Sequence, residues 1–181
     1  MRRALKVHPD SLCSAVTNIE VEVMCRPGRL ALTYLVRGRI GDLRFPPAVV
    51  AAHTDELWRH TCFEAFVGTS PGLGYYEFNF APSTQWAAYW FNGYRSGMRV
   101  ATEIGAPRIE VQSSRACYRL EASLEMDRMS SLRIDGAWRI GLAAVIEEMS
   151  GHRSYWALAH PPGKAGFHHF DSFALEKTQR P

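Results

Sequence analysis

From Asn18 the chain alternates apolar and polar positions with a period of two. Ile19, Val21, Val23 and Cys25 fall on one side, and Glu20, Glu22 and Met24 on the other, the pattern of a half-buried strand. Arg26-Pro27-Gly28 supplies a turn, and Leu30, Leu32, Tyr34 and Val36 alternate again up to Gly38, so the two runs predict an antiparallel hairpin. Leu5 and Val7, closed by His8-Pro9-Asp10, predict an opening strand. Residues Gly41 to Glu56, with Pro46-Pro47 and a short apolar patch at Ala48–Ala52, predict a loop or a brief helical turn. Strands are predicted at Leu57–Gly68, Tyr75–Phe80, Gln85–Asn92, Arg108–Ser113 and Cys117–Glu125. A helical turn is expected at Met126–Leu132. Further strands follow at Arg139–Glu147 and Ser154–His160, with a last edge strand within Phe167–Leu175.

About ten short strands at close spacing, with no long amphipathic helix, point to an all-β chain. Half-buried antiparallel strands must cover their apolar faces against a second layer, so a β-sandwich is the expected architecture. With no internal repeat or linker, residues 1–181 are expected to form one domain.

Composition narrows the partners more than the fold. The chain is 46% hydrophobic and 22% charged, the balance of a globular chain rather than a disordered or low-complexity one. Net charge is +3, and the basic residues are dispersed, with Arg2–Arg3 the one adjacent pair, so nucleic-acid binding is not expected. Nothing approaches the roughly 18–20 apolar residues of a membrane span, and MRRALKVHPDS lacks the apolar core of a secretory signal. A cytoplasmic location is the expectation. There Cys13, Cys25, Cys62 and Cys117, with no Cys-x-x-Cys pair, are expected as thiols rather than as zinc ligands or disulfides.

The candidate chemistry lies in Leu57–Arg95, which holds three of the five tryptophans and four of the seven tyrosines. On an extended strand Trp58, His60, Cys62, Glu64 and Phe66 share one face, opposite Leu57, Thr61, Phe63, Ala65 and Val67. An indole plate beside an imidazole and a carboxylate is the chemistry of a sugar site: the plate stacks on the C–H face of the ring, and the polar groups take its hydroxyls. The same residues equally suit a core in which His60 and Glu64 satisfy each other or nearby backbone. Tyr75, Glu77 and Asn79 share a face, as do Trp86, Trp90 and Asn92, but which of these faces carries Glu64 depends on hairpin register.

Catalysis and metal binding find less support. His60 and Cys62 stand about 6.5–7 Å apart along a strand, loose for a thiol–imidazole pair. Glu147-Glu148 and His168-His169 are adjacent pairs whose side chains diverge on a strand. No Gly-x-Ser-x-Gly elbow, phosphate loop or His-Glu-x-x-His helix is present. His8, His53, His152 and His160 show no ligand spacing. One of them, or Met98 or Met149, reaches haem iron only through tertiary convergence.

The blocks LWRHTCFEAFVG, YYEFNFAPSTQW…YWFNGYR and SYWALAHPPGKAGFHHFDSFAL together resemble the DOMON-like domains related to family 9 carbohydrate-binding modules, over Leu57 to Leu175. The resemblance implies an immunoglobulin-like sandwich that binds a ligand on a concave sheet face and performs no chemistry. Relatives bind sugars or haem. It implies saccharide contacts for Trp58 and Glu64, a second clamping tryptophan at Trp156 or Trp90, and hydrogen bonds from Arg95. The chain departs from the family at Ala165-Gly166-Phe167-His168-His169-Phe170, where relatives carry Pro-Asp before Phe-His and a proline after it. The expected function is therefore non-catalytic binding of a small sugar or sugar derivative through Trp58, His60, Glu64, Trp90, Arg95 and Trp156. A haem site and a protein-interaction surface are the alternatives.

Overall fold

The computed structural model describes residues 1–70, 72–129, 132 and 137–178. Among these residues there are twelve strands: β1 (Arg2–Val7), β2 (Val16–Arg26), β3 (Arg29–Gly38), β4 (Cys62–Ser70), β5 (Tyr75–Phe80), β6 (Trp86–Phe91), β7 (Arg99–Val100), β8 (Arg108–Ser113), β9 (Cys117–Glu125), β10 (Ala137–Glu147), β11 (Arg153–Ala157) and β12 (Leu175–Thr178). The helical content is three short 3-10 turns.

Eleven strands form one antiparallel sheet in the order β7-β6-β5-β4-β10-β11-β1-β2-β3-β9-β8, curled into a half-barrel, and β12 pairs with β10. The all-β, antiparallel expectation agrees with this arrangement. The pairing differs from two separate sheets at β1, where Arg2–Leu5 pair with β2 and Lys6–Val7 pair with β11. One short strand thus joins two lobes through backbone hydrogen bonds.

Side-chain alternation then decides what each lobe buries. Ile19, Val21 and Val23 of β2 and Leu30, Leu32, Tyr34 and Val36 of β3 point inward. They meet Phe63, Ala65 and Val67 of β4, Tyr76, Phe78 and Phe80 of β5, and Ile140, Leu142 and Ala144 of β10 in one core cluster. Tyr34 fastens the lobes together: its hydroxyl donates to the Glu64 carbonyl oxygen at 2.7 Å, and its ring lies 5.1 Å from that of Phe63. Removing that hydroxyl leaves a buried carbonyl short of a partner. Tyr34→Phe is therefore expected to lower stability by about 1–2 kcal/mol in urea unfolding; an unchanged midpoint would show that the hydroxyl does not hold the lobes together.

The predicted strands hold up in the middle of the chain and shift at its edges. Leu57–Arg59 is a 3-10 turn entered through Glu56 at φ +62°, and the strand starts at Cys62 rather than Leu57. Phe167–Leu175 is a strap with a 3-10 turn at Phe170–Ser172, and the edge strand begins where the expectation ended, at Leu175. The helical turn expected at Met126–Leu132 lies partly outside the described residues; the amide of Met129 does donate to the Met126 carbonyl at 3.0 Å.

Candidate functional site

The lobe of β4, β5, β6, β10 and β11 is apolar on both faces. Its outward positions, Phe66, Tyr75, Ala87, Tyr89, Phe91, Ala143, Val145 and Ala157, form a second cluster with Phe167 and Phe173 of the strap. Gly141 on β10 makes the covering possible, because a Cβ there would come within 2.8 Å of the Phe173 ring. The strap leaves part of the face open. That opening is a recess of about 420 Å³ lined by Trp58, Glu64, Glu77, Phe91, Arg95, Met98, Val145, Arg153, Tyr155, Ala165, Gly166, Phe167 and His168, a size in the range of small-molecule sites.

Register explains which polar groups reach it. Glu64 pairs with Asn79, and Phe66 with Glu77, so Glu77 and Asn79 lie on the Glu64 face. Glu64 and Glu77 are 3% and 4% exposed. Cys62 donates its S–H to Asn79 Oδ1 at 3.3 Å, and Asn79 Nδ2 donates to Glu77 Oε1 at 2.8 Å. The Glu64 carboxyl has no hydrogen bond or ion pair among the described residues. Burial, then the neighbouring Glu77, push it well above the usual carboxylate range, with Arg95 pulling the other way. Burial pushes Glu77 up to about 7 against the Asn79 hydrogen bond and Arg95. Arg95 acts on both carboxyls through space, with no ion pair to either. Burial likewise raises the Cys62 thiol, which leaves it a poor nucleophile.

Arg95 itself is tightly placed. It adopts φ +49°, a conformation that costs energy in a non-glycine residue, and its amide donates to the Tyr75 hydroxyl at 3.3 Å. The Tyr75 hydroxyl also shares a hydrogen bond with His168 Nδ1, 2.9 Å away. His168 Nε2 lies 3.7 Å from Glu77 Oε2. Burial, and secondarily Arg95, hold His168 down to about 4, so the ring is neutral near pH 7.

Trp58, Glu64 and Arg95 therefore meet in one recess. Trp58 arrives from the 3-10 turn rather than from a strand face, half-buried and backed edge-on by Tyr89 at 5.8 Å. The other three residues expected at the site lie elsewhere. His60 sits beyond the strand start, exposed, with Nδ1 2.8 Å from Glu147 Oε2. Trp90 pairs with Tyr76 in register and packs edge-on against it at 4.8 Å on the core side. Trp156 is buried in the core, its Nε1 donating to Ser154 Oγ at 2.9 Å. Alternation puts both tryptophans on the face opposite Glu64.

His60 lines a larger depression, about 590 Å³, with Arg44, Thr54, Gln85 and others. Its polar groups already satisfy one another: Glu147 takes both His60 and Arg44, and Gln85 bonds Thr54 and Ser83. The smaller recess, with a carboxyl and a guanidinium unpaired among the described residues and an aromatic wall, is the better ligand site. Haem fits it poorly. Met98 and His168 do line it together, but His168 has one ring nitrogen bonded to Tyr75 and the other facing Glu77. A porphyrin plane would also seal off the Glu64 carboxyl, which has no partner among the described residues.

Fold and recess together define an all-β half-barrel with a polar-floored, aromatic-walled site on the outer face of one lobe. No protein-family model and no curated protein sequence matches the chain. Among solved structures, a presumed carbohydrate-binding protein of Bacteroides uniformis ATCC 8492 is 12% identical. It aligns over 94% of this chain and 83% of its own, with a TM-score of 0.69. A family 9 carbohydrate-binding module of Caldicellulosiruptor kristjanssonii, solved in complex with cellotriose, is 11% identical over 90% of this chain and 74% of its own, with a TM-score of 0.54. At these identities the likeness is one of fold.

Proposed function

We propose that the chain is a non-catalytic domain that binds a small sugar or sugar derivative in the recess of Trp58, Glu64 and Arg95. The observation that carries this reading is their convergence: a flat indole, a buried carboxyl and a guanidinium, the last two without an ion-pair partner among the described residues, face one cavity. An indole stacks on the C–H face of a pyranose. A protonated Glu64 both donates and accepts, and Arg95 donates, which matches the mixed demands of neighbouring hydroxyls. The fold shared with the Bacteroides protein and the cellotriose-bound module supports the same reading, as does the likeness of the Trp58–Glu64 block to DOMON-like domains and their immunoglobulin-like sandwich. Against catalysis stand the protonated, hydrogen-bonded Cys62 and two carboxyls that share one floor rather than flank a bond.

Trp58→Ala is expected to weaken saccharide binding at least about 30-fold, the loss of roughly 2 kcal/mol typical of a tryptophan anchor, while circular dichroism stays that of the parent. Calorimetry against a broad panel of mono- and disaccharides checks it. A parent that binds nothing at millimolar ligand, or a variant that binds as the parent does, defeats the reading. A protein-partner surface is the second reading, favoured by Tyr94, Met98 and Val100, which are 57%, 51% and 42% exposed on and beside the hairpin that carries Arg95.

A further inference from the structure

We propose that the recess selects a saccharide bearing a carboxylate, a uronic or aldonic acid, whose anionic group is held between Arg95 and Arg153. The inference rests on the saccharide reading above and specifies the chemical class of the ligand.

Two guanidiniums line this recess. Neither forms an ion pair with a carboxylate among the described residues, although Glu64 and Glu77 line the same recess. Arg153 spends one nitrogen, Nη1, on the Arg59 carbonyl at 3.1 Å, which anchors the side chain and leaves its other donors available. Arg95 is held by its left-handed backbone and its bond to Tyr75. Its guanidinium also passes close over Gly166, where a Cβ would lie 3.3 Å from Nη2. Strain of this kind persists where surrounding structure fixes a residue for contact with a ligand. A planar fork so fixed matches a carboxylate in two parallel hydrogen bonds and matches a lone hydroxyl less well.

The floor does not cancel this charge. Glu64 and Glu77 crowd each other out of water, and burial favours their protonated forms. Arg95 and Arg153 are both exposed at the mouth. Below the Glu77 value of about 7 the recess is therefore cationic at its opening and hydroxyl-like at its base. An acidic sugar fits that polarity when its ring lies on Trp58, its hydroxyls reach Glu64 and its carboxylate stays at the rim. An amino sugar requires the opposite polarity, with both floor carboxyls ionised and the guanidiniums turned away.

The experiment is calorimetry near pH 6 and low salt, where Glu77 is mostly protonated, on matched series: glucose, glucuronate, gluconate and glucosamine, and the same four for galactose. In the series that binds, the acid is expected to bind at least about tenfold tighter than the neutral sugar, the scale of a charge-assisted hydrogen bond, and added sodium chloride is expected to shrink that margin. Arg95→Gln and Arg153→Gln should each cut the margin to below about threefold. Arg153 lies on a regular strand, so its variant stays informative if the Arg95 variant misfolds by circular dichroism. A neutral sugar or an amino sugar binding as tightly as the acid, or variants that keep the margin, overturns the proposal and leaves the saccharide reading standing. If no member of either series binds, nor any sugar of the broad panel, both fall together.

Discussion

Phe173→Ala is expected to lower the unfolding free energy by about 3–5 kcal/mol, the range for deleting a fully buried phenylalanine. The side chain has no exposed surface. Its ring lies 5.6 Å from Phe66, 5.4 Å from Tyr75 and 5.4 Å from Phe170, seated over the bare backbone of Gly141. Truncation removes the contact that pins the strap to the lobe, and Gly141 offers no side chain to fill the gap. The same strap presents Phe167 and His168 to the recess, so saccharide affinity should fall along with stability. Urea unfolding checks the first effect and calorimetry the second. A loss below about 0.5 kcal/mol, the level of an ordinary surface change, would mean that the strap is held elsewhere.

The second large effect is one of pH. Glu77 has its folded-state pKa raised to about 7 from an ordinary 4.5. Between those values the folded protein keeps a proton that the unfolded chain releases. Stability from this group is therefore full below about pH 4.5 and declines as pH climbs to about 7, by up to about 3 kcal/mol. Glutamine retains the oxygen that accepts from Asn79 and never ionises. Glu77→Gln should match the parent near pH 4.5 and exceed it by about 2–3 kcal/mol at pH 8. His168 works in the other direction. Its folded-state pKa is depressed to about 4 from 6.5, so as pH falls through that window the unfolded chain takes up the proton first and stability is lost. In the parent the two slopes oppose each other between roughly pH 4.5 and 6.5; in Glu77→Gln that opposition weakens, leaving Glu64, which burial also raises, as the carboxyl against the acid-side loss. Urea midpoints at pH 4.5, 6 and 8 test this, and parallel curves for parent and variant would refute it.

Alternation made the inner layer legible. The β2, β3 and β9 runs put Ile19, Leu32 and Leu120 inward because a half-buried strand has to separate its apolar and polar positions. The site was legible in part. Trp58, Glu64 and Arg95 do converge, but Trp58 arrives through a turn that a strand reading of Leu57–Gly68 conceals. The positive φ at Glu56 is a backbone property with no glycine to announce it. Trp90 and Trp156 face the core because of cross-strand register, which loop length alone does not specify. Glu77, Arg153 and His168 escaped selection as site residues. A carboxylate inside the all-aromatic run Tyr-Tyr-Glu-Phe-Asn-Phe was the signal for the first, since charge is rarely buried without a purpose. Arg153 carried no such mark. The adjacent His168-His169 pair was weighed as a metal site, whereas one ring turns inward and the other outward on the strap.

The two-sided pairing of β1 has a bearing on how the chain is made. Leu5 and the residues before it find their partners in β2 as soon as that strand emerges. The Lys6–Val7 end waits for Trp156 and Ala157, about 150 residues later, which at ribosomal speeds is roughly 8–30 s. Throughout that interval the first lobe presents an open strand edge beside an uncovered apolar layer, the combination most apt to pair with a neighbouring chain. The exposed charges of Arg2, Arg3 and Lys6 along β1 stand where such pairing would begin, and they guard the nascent chain until the second lobe closes over it.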